Sequence, residues 1–349
     1  MNILILGNGF DLAHGLPTKY TDFLDYVIEK KKLLDIEKLD IGPLILENIW
    51  IEYFILLYKN RELCGINWID FEMEISHILK LFDEQDSNVF NPIVCLSEIN
   101  KDKKMIFFYN LYAKRIASSD GIKGVEKQTY AQLIENLEID LDKMIKAFEI
   151  YLIEMVEEVD IESICPDIQR VKANRILTFN YTNIYEKKYA DSECKIHHIH
   201  GLVKRDNDNN MVLGVDEYWQ GRDADNHTNY NVFKKFTQRI LKETGFDYRY
   251  WIDECKRSYV QHMHTRNNTT WTDMGITDVY VFGHSLDITD RDILKEFFME
   301  DCFRVHIYYK DKQKQATLIA NLVKMIGEDK FVKQINMVPP KIDFIKQSE

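Results

Sequence analysis

The sequence predicts an α/β fold: a Rossmann-like parallel sheet interrupted by a large α-helical insertion. Short apolar strand patterns occur at the start of the 349-residue chain and again after residue 170, where helical patterns alternate with them. Strands that alternate with helices are typical of a parallel sheet, because each crossover needs a connection about as long as a helix. From residue 31 to 171, apolar positions recur at helical spacing with only three prolines, which indicates several long amphipathic helices.

The strands of the predicted sheet are short runs of β-branched and aromatic residues at positions 2–6, 176–180, 195–199, 278–282 and 304–309. We therefore expect residues 1–30 and 172–327 to form one discontinuous nucleotide-binding domain, and residues 31–171 to form a helical insertion domain. Within the α/β domain, residues 203–266 predict a loop and a helical lid around a short strand at 211–213. Residues 328–349 are expected to be a C-terminal tail.

The composition limits the partners of the protein. The net charge of −12, from 57 acidic and 45 basic residues, disfavours general binding of a nucleic-acid backbone, which requires neutralisation of phosphates. The six cysteines show no C-x-x-C or zinc-ribbon spacing, so we expect reduced thiols in the cytoplasm. The short apolar run at residues 1–6 predicts a buried strand and not a signal peptide, and no apolar run is long enough to span a membrane.

The first strand leads into a turn of Gly7, Asn8 and Gly9, which Phe10 and Asp11 follow at the start of a helical region. Glycine lets backbone N–H groups approach a phosphate, and the N-terminus of a helix favours negative charge. The turn lacks the third glycine of the full dinucleotide-binding pattern, so an ordinary strand-to-helix turn explains it equally well. These five residues are candidate ligands of a nucleotide.

Two later strands end in polar residues that would reach the same edge of a parallel sheet. Asn180 and Thr182 follow one of these strands, and His200 and Gly201 follow the next. The Asn180 amide could orient a water or a ribose hydroxyl, and histidine side chains are suited to general acid or base catalysis. The alternatives are capping of the following helix by Asn180 and Thr182, and a structural role for His200.

Three histidines within four residues, His197, His198 and His200, raise the question of a metal site. The spacing of these residues does not match that of a zinc ligand set, so we predict no metal. We expect His197 to be structural, because its offset from His200 places the two side chains on opposite faces of the strand.

A further apolar strand ends at Gly283, His284 and Ser285, ahead of a helix whose start Asp290 marks. Ser285 could offer its hydroxyl or its backbone N–H to a ligand. A hydrolase pair of His284 and Ser285 is disfavoured, because adjacent residues rarely point at one another along a turn. We therefore expect all three residues to close one side of a binding site.

The helical insertion contributes two more candidates, Trp68 and Asp70. Asp70 shares a helical face with Glu74, one turn away. A solvated acidic face is the simpler interpretation of this pattern. The functional interpretation has Trp68 and a carboxylate reaching over the ligand.

Taken in order, these motifs resemble the AbiH family of bacterial abortive-infection proteins. The resemblance spans nearly the whole chain and rests on residues 7–11, 15–18, 68–72, 178–182, 198–201 and 283–286. The same order is more distantly similar to SIR2-like domains, whose fold binds NAD. Several defence members of that superfamily hydrolyse NAD with a strand-end asparagine and the histidine before a glycine, and these positions match Asn180 and His200. The cysteine quartet that binds zinc in the deacetylases is missing, so deacetylation is not implied.

The resemblance implies an antiviral defence protein that binds NAD as its substrate, needs no other cofactor and cleaves the nicotinamide–ribose bond. It implies Asn180 and His200 as catalytic residues, and the glycine turns around Gly7 and Gly283 as the groups that hold the nucleotide. A phage-derived trigger would open a site that the helical insertion holds shut, and we expect a homo-oligomer.

Two alternatives stay open on the sequence alone: a nucleic-acid-directed effector such as a nuclease, and a non-catalytic nucleotide sensor. Residues 232–266 have a local excess of positive charge that could follow a nucleic-acid backbone, although an amphipathic lid helix explains it too. The basic residues concerned are Lys234, Lys235, Arg239, Lys242, Arg249, Lys256, Arg257 and Arg266.

Overall fold

The computed structural model describes residues 1–62, 69–83, 89–90, 103–119, 128–157, 159–161, 164–205, 210–215, 228–265 and 275–348. The chain divides into two compact units. The α/β unit comprises Met1–Pro17, Val156–Met211 and Arg239–Glu349, and the helical unit comprises Thr18–Met155 and Val212–Gln238. Across the described residues, no helix is both long and apolar enough to cross a membrane.

The α/β unit is built on a parallel sheet, as the alternation of strands and helices predicts. In chain order the described strands are β1 (Asn2–Leu6), β2 (Val89–Phe90), β3 (Gln128–Thr129), β4 (Arg175–Thr178), β5 (Lys195–His198), β6 (Thr277–Phe282), β7 (Phe303–Tyr309) and β8 (Ile342–Lys346). Six of these form the sheet, in the order β5-β4-β1-β6-β7-β8 with every neighbouring pair parallel. The first strand lies beside the strand that ends at Thr178, which confirms the predicted pairing.

Helices cover the sheet and bury its apolar side chains. Those of the α/β unit are Gly9–Ala13, Pro166–Arg170, Ile184–Lys188, Asp247–Thr265, the 3-10 turn Ile288–Asp290, Arg291–Met299, Lys312–Ile326 and Glu328–Ile335. Ile3, Val281 and Val305 of the sheet belong to a core cluster that also contains Trp251 and Phe297 from these helices. Burial of this many large side chains is the main stabilising contribution to the unit.

The helical unit is held together mainly by aromatic residues. Its helices are Tyr20–Lys30, the 3-10 turn Ile36–Lys38, Gly42–Ile45, Ile49–Lys59, Phe71–Asp83, Lys103–Ser119, Tyr130–Met155 and the 3-10 turn Thr228–Phe233, and β2 and β3 form a short antiparallel pair. Phe71 stacks on Phe54 at 4.1 Å and on Tyr20 at 4.2 Å between ring centroids. The helix Lys235–Leu241 contains the boundary between the units at Gln238.

The boundaries differ from those predicted. The helical unit starts at Thr18 instead of residue 31, because Phe23 packs against Phe71, Phe148 and Tyr151 of that unit. Residues 212–238, predicted as part of the lid of the α/β domain, belong to the helical unit, and residues 211–213 form no strand.

The expectation of a C-terminal tail is wrong. Residues 328–349 contain the helix Glu328–Ile335 and strand β8, which pairs with β7 at the edge of the sheet. The sequence hides this strand because only Ile342 of its five residues is fully buried, so the apolar pattern is weak.

Candidate functional site

The polar residues predicted at the strand ends meet at one edge of the sheet. Strands β1, β4, β5 and β6 are parallel, and they end at Leu6, Thr178, His198 and Phe282. The residues that follow therefore lie along the carboxyl edge, which is the position of ligand crevices in open α/β sheets. We refer to this group of strand ends as the carboxyl-edge site.

Two glycine turns pack directly against each other at this edge. The Gly7 N–H donates to the carbonyl of Phe282 at 3.1 Å, and the Gly9 N–H donates to that of Gly283 at 2.8 Å. A Cβ atom at Gly9 would lie 2.6 Å from Cα of Gly283, and one at Gly7 would lie 2.5 Å from Cα of His284. Backbone packing thus requires glycine at positions 7 and 9 independently of any phosphate.

Phe10 is a core residue, which corrects its prediction as a nucleotide ligand. Its side chain is buried, and its ring contacts those of His14, Tyr185, Tyr189 and Phe282. Its backbone N–H donates to Gly7. A large apolar side chain after the turn anchors the short helix Gly9–Ala13 on the sheet, and the sequence motif does not distinguish this role from ligand binding.

The Asp11 carboxylate joins the first turn to the end of β4. One of its oxygens accepts from the Asn180 amide nitrogen at 3.0 Å, and the other accepts from the Thr182 hydroxyl at 2.9 Å. Burial raises the pKa of Asp11 to about 7, against the opposing effect of the hydrogen bonds from Thr182 and Asn180. A buried carboxyl group that titrates near neutral pH is typical of functional sites. Three of the predicted residues therefore form one hydrogen-bonded group.

The backbone of Asn180 is fixed from the opposite side by His198. Its Nδ1 atom donates to the Asn180 carbonyl at 3.2 Å, and its Nε2 atom pairs with Glu186 of the helix Ile184–Lys188. The Asn180 N–H in turn donates to the Thr178 hydroxyl at 3.1 Å. Asn180 is consequently held by contacts to both its side chain and its main chain, as a group that positions a substrate must be.

Asp290 joins the ends of β5 and β6. Its Oδ1 atom lies 3.2 Å from Nε2 of His200, and its Oδ2 atom lies 3.4 Å from Nε2 of His284. The Phe179 ring contacts both imidazoles, with centroid distances of 5.2 Å to His200 and 4.4 Å to His284. All three polar side chains are buried. We call this group the Asp290 cluster.

Gly201 and Ser285 differ from the buried polar residues of the site, because Gly201 shapes a turn and Ser285 is exposed. Gly201 has φ of +81°, and a Cβ atom there would lie 2.1 Å from the Asn210 carbonyl oxygen, so the turn after His200 requires glycine. Ser285 is exposed, and its hydroxyl accepts a 3.4 Å hydrogen bond from the Asp287 N–H. Ser285 is therefore accessible to a ligand, whereas Gly201 shapes the chain behind the site.

The three neighbouring histidines have different partners and do not converge on one point. His197 donates to the Thr244 carbonyl at 3.0 Å and accepts from the Tyr248 N–H at 3.3 Å, and burial lowers its pKa. These backbone contacts are those of a structural histidine. His198 instead contacts Asn180, and His200 contacts Asp290. Among the described residues, no group of three or more histidine, cysteine or acidic side chains has the arrangement of a metal site.

Asp70 caps a helix, and Trp68 lies outside the described residues. An oxygen of Asp70 accepts from the N–H groups of Glu72 at 2.9 Å and of Met73 at 3.1 Å, at the start of the helix Phe71–Asp83. This is the usual role of an aspartate before a helix. It corrects the expectation that the Asp70 carboxylate reaches over a ligand.

Most of the basic residues of segment 232–266 form ion pairs or hydrogen bonds with other groups of the protein. Buried Lys235 pairs with Glu72 at 2.7 Å, and buried Arg239 pairs with Asp292. Lys242 donates to the Met211 carbonyl, Arg249 pairs with Glu296, and Lys256 pairs with Glu300. Cations that already neutralise acidic groups contribute little to binding phosphates, so this arrangement disfavours the nucleic-acid interface.

Two acidic residues of the carboxyl-edge site, Asp290 and Glu186, are not predicted from the sequence. The sequence indicates Asp290 only as the start of a helix, because an aspartate at such a position ordinarily caps the helix. Glu186 stands in an unremarkable helical segment, 12 residues before His198. A buried carboxylate that pairs with a histidine has no local sequence signature when the two residues are brought together by tertiary contacts.

Comparison with known families gives one match. The sequence model of the family described as Bacteriophage abortive infection AbiH matches residues 3–309, which covers all the strand ends of the carboxyl-edge site. The chain belongs to the AbiH family. The family places the protein in phage abortive infection, a form of antiviral defence. No curated protein and no solved structure matches the chain.

Proposed function

We propose that this AbiH protein binds NAD and hydrolyses the nicotinamide–ribose bond during phage infection. In this reaction a water attacks C1′ of the ribose, the bond to nicotinamide breaks, and ADP-ribose, nicotinamide and a proton are formed. The protein must position the water against the ribose and accept the proton. It needs no redox step and no substrate other than NAD and water.

The observation that carries the proposal is that Asn180 and His200 both lie at the carboxyl edge, each with a buried carboxylate beside it. Because the Asn180 amide nitrogen donates to Asp11, its amide oxygen is the atom that accepts from a ribose hydroxyl or from the attacking water. The His200 imidazole, whose Nε2 atom lies 3.2 Å from the Asp290 carboxylate, accepts the proton. An oriented amide and a base are the two parts that the reaction requires.

The other residues of the edge form the binding surface. The turns around Asn8 and Ser285 flank the site, and we propose that they contact the phosphates and the ribose of NAD. The glycines at positions 7, 9 and 283 contribute by bringing these turns together. A phage-derived trigger that makes the buried residues accessible accounts for control of an activity that would otherwise deplete NAD in uninfected cells.

The test is nicotinamide release from NAD, followed by chromatography with the purified protein, alone and with extracts of phage-infected cells. We expect release with the wild-type protein and none with Asn180→Ala or His200→Ala. His264→Ala, which changes an exposed histidine of the helix Asp247–Thr265, is the matched control and should keep the activity. Wild-type protein that leaves NAD intact in both conditions, while it protects cells from phage, would reject the proposal in favour of a sensor or a nuclease.

A further inference from the structure

The hydrogen-bonded group of Asp11, Asn180 and Thr182 contains a hydroxyl that takes no part in the proposed reaction. We propose that Asp11 and Thr182 act together as positioning residues, which keep the Asn180 amide nitrogen turned toward Asp11 whether or not the carboxyl group carries a proton. The amide oxygen of Asn180 is then available to the substrate in both states. The orientation follows from the hydrogen bonds of the group, and its catalytic consequence rests on the proposed NAD hydrolysis.

The ionised form of Asp11 fixes the amide because a carboxylate only accepts hydrogen bonds. The amide nitrogen of Asn180 lies 3.0 Å from one carboxylate oxygen, and the hydroxyl oxygen of Thr182 lies 2.9 Å from the other. Both of these groups can donate. If the amide turned by 180°, its oxygen would face a second acceptor, so the turned amide is disfavoured while Asp11 is ionised.

The surroundings of this group hold its members in place. The main-chain carbonyl of Asp11 accepts from the backbone N–H of His14 at 3.0 Å and of Leu16 at 3.2 Å. The side chains of Asp11, Asn180 and Thr182 are all buried. A buried polar group that loses its partner keeps the full cost of desolvation, so the partners within the group determine the orientation of the amide.

The protonated form of Asp11 is also present at neutral pH. Burial raises the pKa of Asp11 to about 7, against the hydrogen bonds from Thr182 and Asn180. Two further titratable groups act on this pKa: His198 lowers it and Glu186 raises it, and these two side chains pair with each other. The orientation of Asn180 must therefore be maintained in both protonation states if the site is to work near pH 7.

Thr182 provides the acceptor that the protonated carboxyl group needs. A hydroxyl group can both donate and accept, so a proton on the carboxyl oxygen beside Thr182 reverses this hydrogen bond without moving either oxygen. The other carboxyl oxygen then carries no proton and still accepts from the Asn180 amide nitrogen. Without the hydroxyl, the acceptor left for the proton in this group of three side chains is the Asn180 amide oxygen, which requires the amide to turn.

The test measures how fast the side-chain NH2 hydrogens of Asn180 exchange with water, by NMR of the full-length protein labelled with ¹⁵N-asparagine at pH 6 and pH 9. Asn180→Ala assigns the signals by their absence. The decisive variant is Thr182→Val, which removes the hydroxyl and keeps the shape of the side chain. Thr277→Val is the matched control, because Thr277 is also buried and its hydroxyl donates to Cys255. Nicotinamide release, with extract of phage-infected cells, is measured on the same preparations.

In the wild-type protein and in Thr277→Val, we expect the Asn180 hydrogens to be protected at both pH values. In Thr182→Val the loss of a hydrogen bond raises the pKa of Asp11 further, so the protonated form dominates at pH 6 and the amide turns. Exchange should then be about tenfold faster or more than in the wild-type protein at pH 6, with a similar loss of nicotinamide release. At pH 9 the carboxylate holds the amide in both proteins, and both differences should be much smaller.

Substitutions of Asp11 separate hydrogen bonding from charge. Asparagine resembles the protonated acid, because its oxygen can accept from Asn180 while its NH2 group donates to Thr182. Asp11→Asn should therefore keep the Asn180 hydrogens protected at both pH values. Asp11→Leu, which offers no acceptor, and the double variant Asp11→Asn/Thr182→Val should lose the protection at both.

Fast exchange of the Asn180 hydrogens in the wild-type protein at pH 6 overturns the proposal, and so does protection at pH 6 in folded Thr182→Val or Asp11→Leu. The wild-type spectra decide the first point even if the variants do not fold. If exchange is as expected but the wild-type protein releases no nicotinamide, Asp11 and Thr182 keep their positioning role and NAD hydrolysis is rejected. If Thr182→Val and the wild-type protein hydrolyse NAD equally well at pH 6, the positioning role in catalysis is rejected instead.

Discussion

The α/β unit contains two clusters of histidine and carboxylate side chains, and the ratio of imidazoles to carboxylates is opposite in the two. In the Asp290 cluster, one carboxylate lies between two imidazoles, those of His200 and His284. In the second cluster, one imidazole lies between two carboxylates: His306 of β7 pairs with Asp278 of β6 at 3.1 Å and with Asp343 of β8 at 2.7 Å. The first cluster lies at the carboxyl ends of the strands, and the second lies within the sheet.

The ratio of imidazoles to carboxylates determines whether a cluster can accept a proton at neutral pH. Burial alone would lower the pKa of His306, but its hydrogen bonds to Asp278 and Asp343 raise it to about 9. Against the opposing effect of burial, His306 and Arg304 lower the pKa of Asp278 to about 2. His306 is therefore an imidazolium at neutral pH with no lone pair to offer, and its cluster joins three strands. The Asp290 cluster has two imidazoles and one carboxylate, so some ring nitrogens do not face the carboxylate, and this is the cluster that we propose for catalysis.

The largest expected effect is on nicotinamide release, which should depend on the carboxyl-edge site and not on the His306 cluster. His200→Ala and Asn180→Ala should each lower nicotinamide release by about 100- to 10,000-fold, the usual contribution of a general base and its positioning partner. His306→Gln should leave release unchanged at neutral pH. The double variant Asn180→Ala/His200→Ala should be little worse than the worse single variant, because residues that act in one step are not additive.

The proposed difference between the two clusters is wrong if His306→Gln is as inactive as His200→Ala while both proteins remain folded by circular dichroism. His197→Ala adds a control for general damage beside the site. Because His197 bonds backbone groups such as those of Thr244 and Tyr248, its loss should lower the melting temperature and not the activity per folded molecule.

The next effect concerns the turns that support the Asp290 cluster. A Cβ atom at Gly9 would meet the Gly283 backbone at 2.6 Å, so Gly9→Ala should lower the free energy of unfolding by roughly 2 to 3 kcal/mol. Gly15→Ala is the control: no atom lies within 4 Å of the added carbon, and only the cost of its φ of +75°, about 1 kcal/mol, remains. Urea denaturation of both variants measures the difference. Equal losses would mean that the turns can separate, and the tight packing would then not explain glycine at position 9.

The smallest effect concerns the charge of the second cluster. The pKa of His306 is about 9 in the folded protein, against an ordinary value of 6.5, so the imidazolium stabilises the fold below pH 6.5. This contribution is lost as pH rises through about 9. His306→Gln should therefore cost roughly 1 to 3 kcal/mol at pH 6 and much less at pH 10, by urea denaturation at each pH. A cost that is independent of pH would show that His306 acts by packing alone.

The sequence predicts the central strands of the sheet better than its edge strand β8 or the boundaries of the two units. The apolar runs at β1 and β6 and their following glycines identify strands buried on both faces, and the parallel sheet follows from the intervening helices. Strand β8 escaped prediction because it lies at the sheet edge with one fully buried residue. The helix Tyr20–Lys30 was assigned to the wrong unit because its amphipathic pattern does not specify which partner its apolar face contacts.

The candidate site was predictable where residues follow strands, and not where distant residues meet. Asn180, Thr182 and His200 could be placed at one edge because parallel strands end together. The bond between Asp11 and Asn180 joins residues 169 positions apart, and no local pattern encodes it. Asp290 and Asp70 both precede helices, yet Asp70 caps its helix and Asp290 contacts two histidines. Only the tertiary contacts of the two carboxylates distinguish them.

The concentration of NAD in phage-infected cells is the most direct measure of the proposed NAD hydrolysis. Cells that produce the wild-type protein, His200→Ala or His306→Gln at equal levels would be sampled after infection, with NAD and nicotinamide measured by mass spectrometry. We expect NAD to fall and nicotinamide to accumulate with wild-type protein and His306→Gln, and neither change with His200→Ala. Phage protection by the wild-type protein with NAD unchanged would show that defence does not depend on NAD hydrolysis.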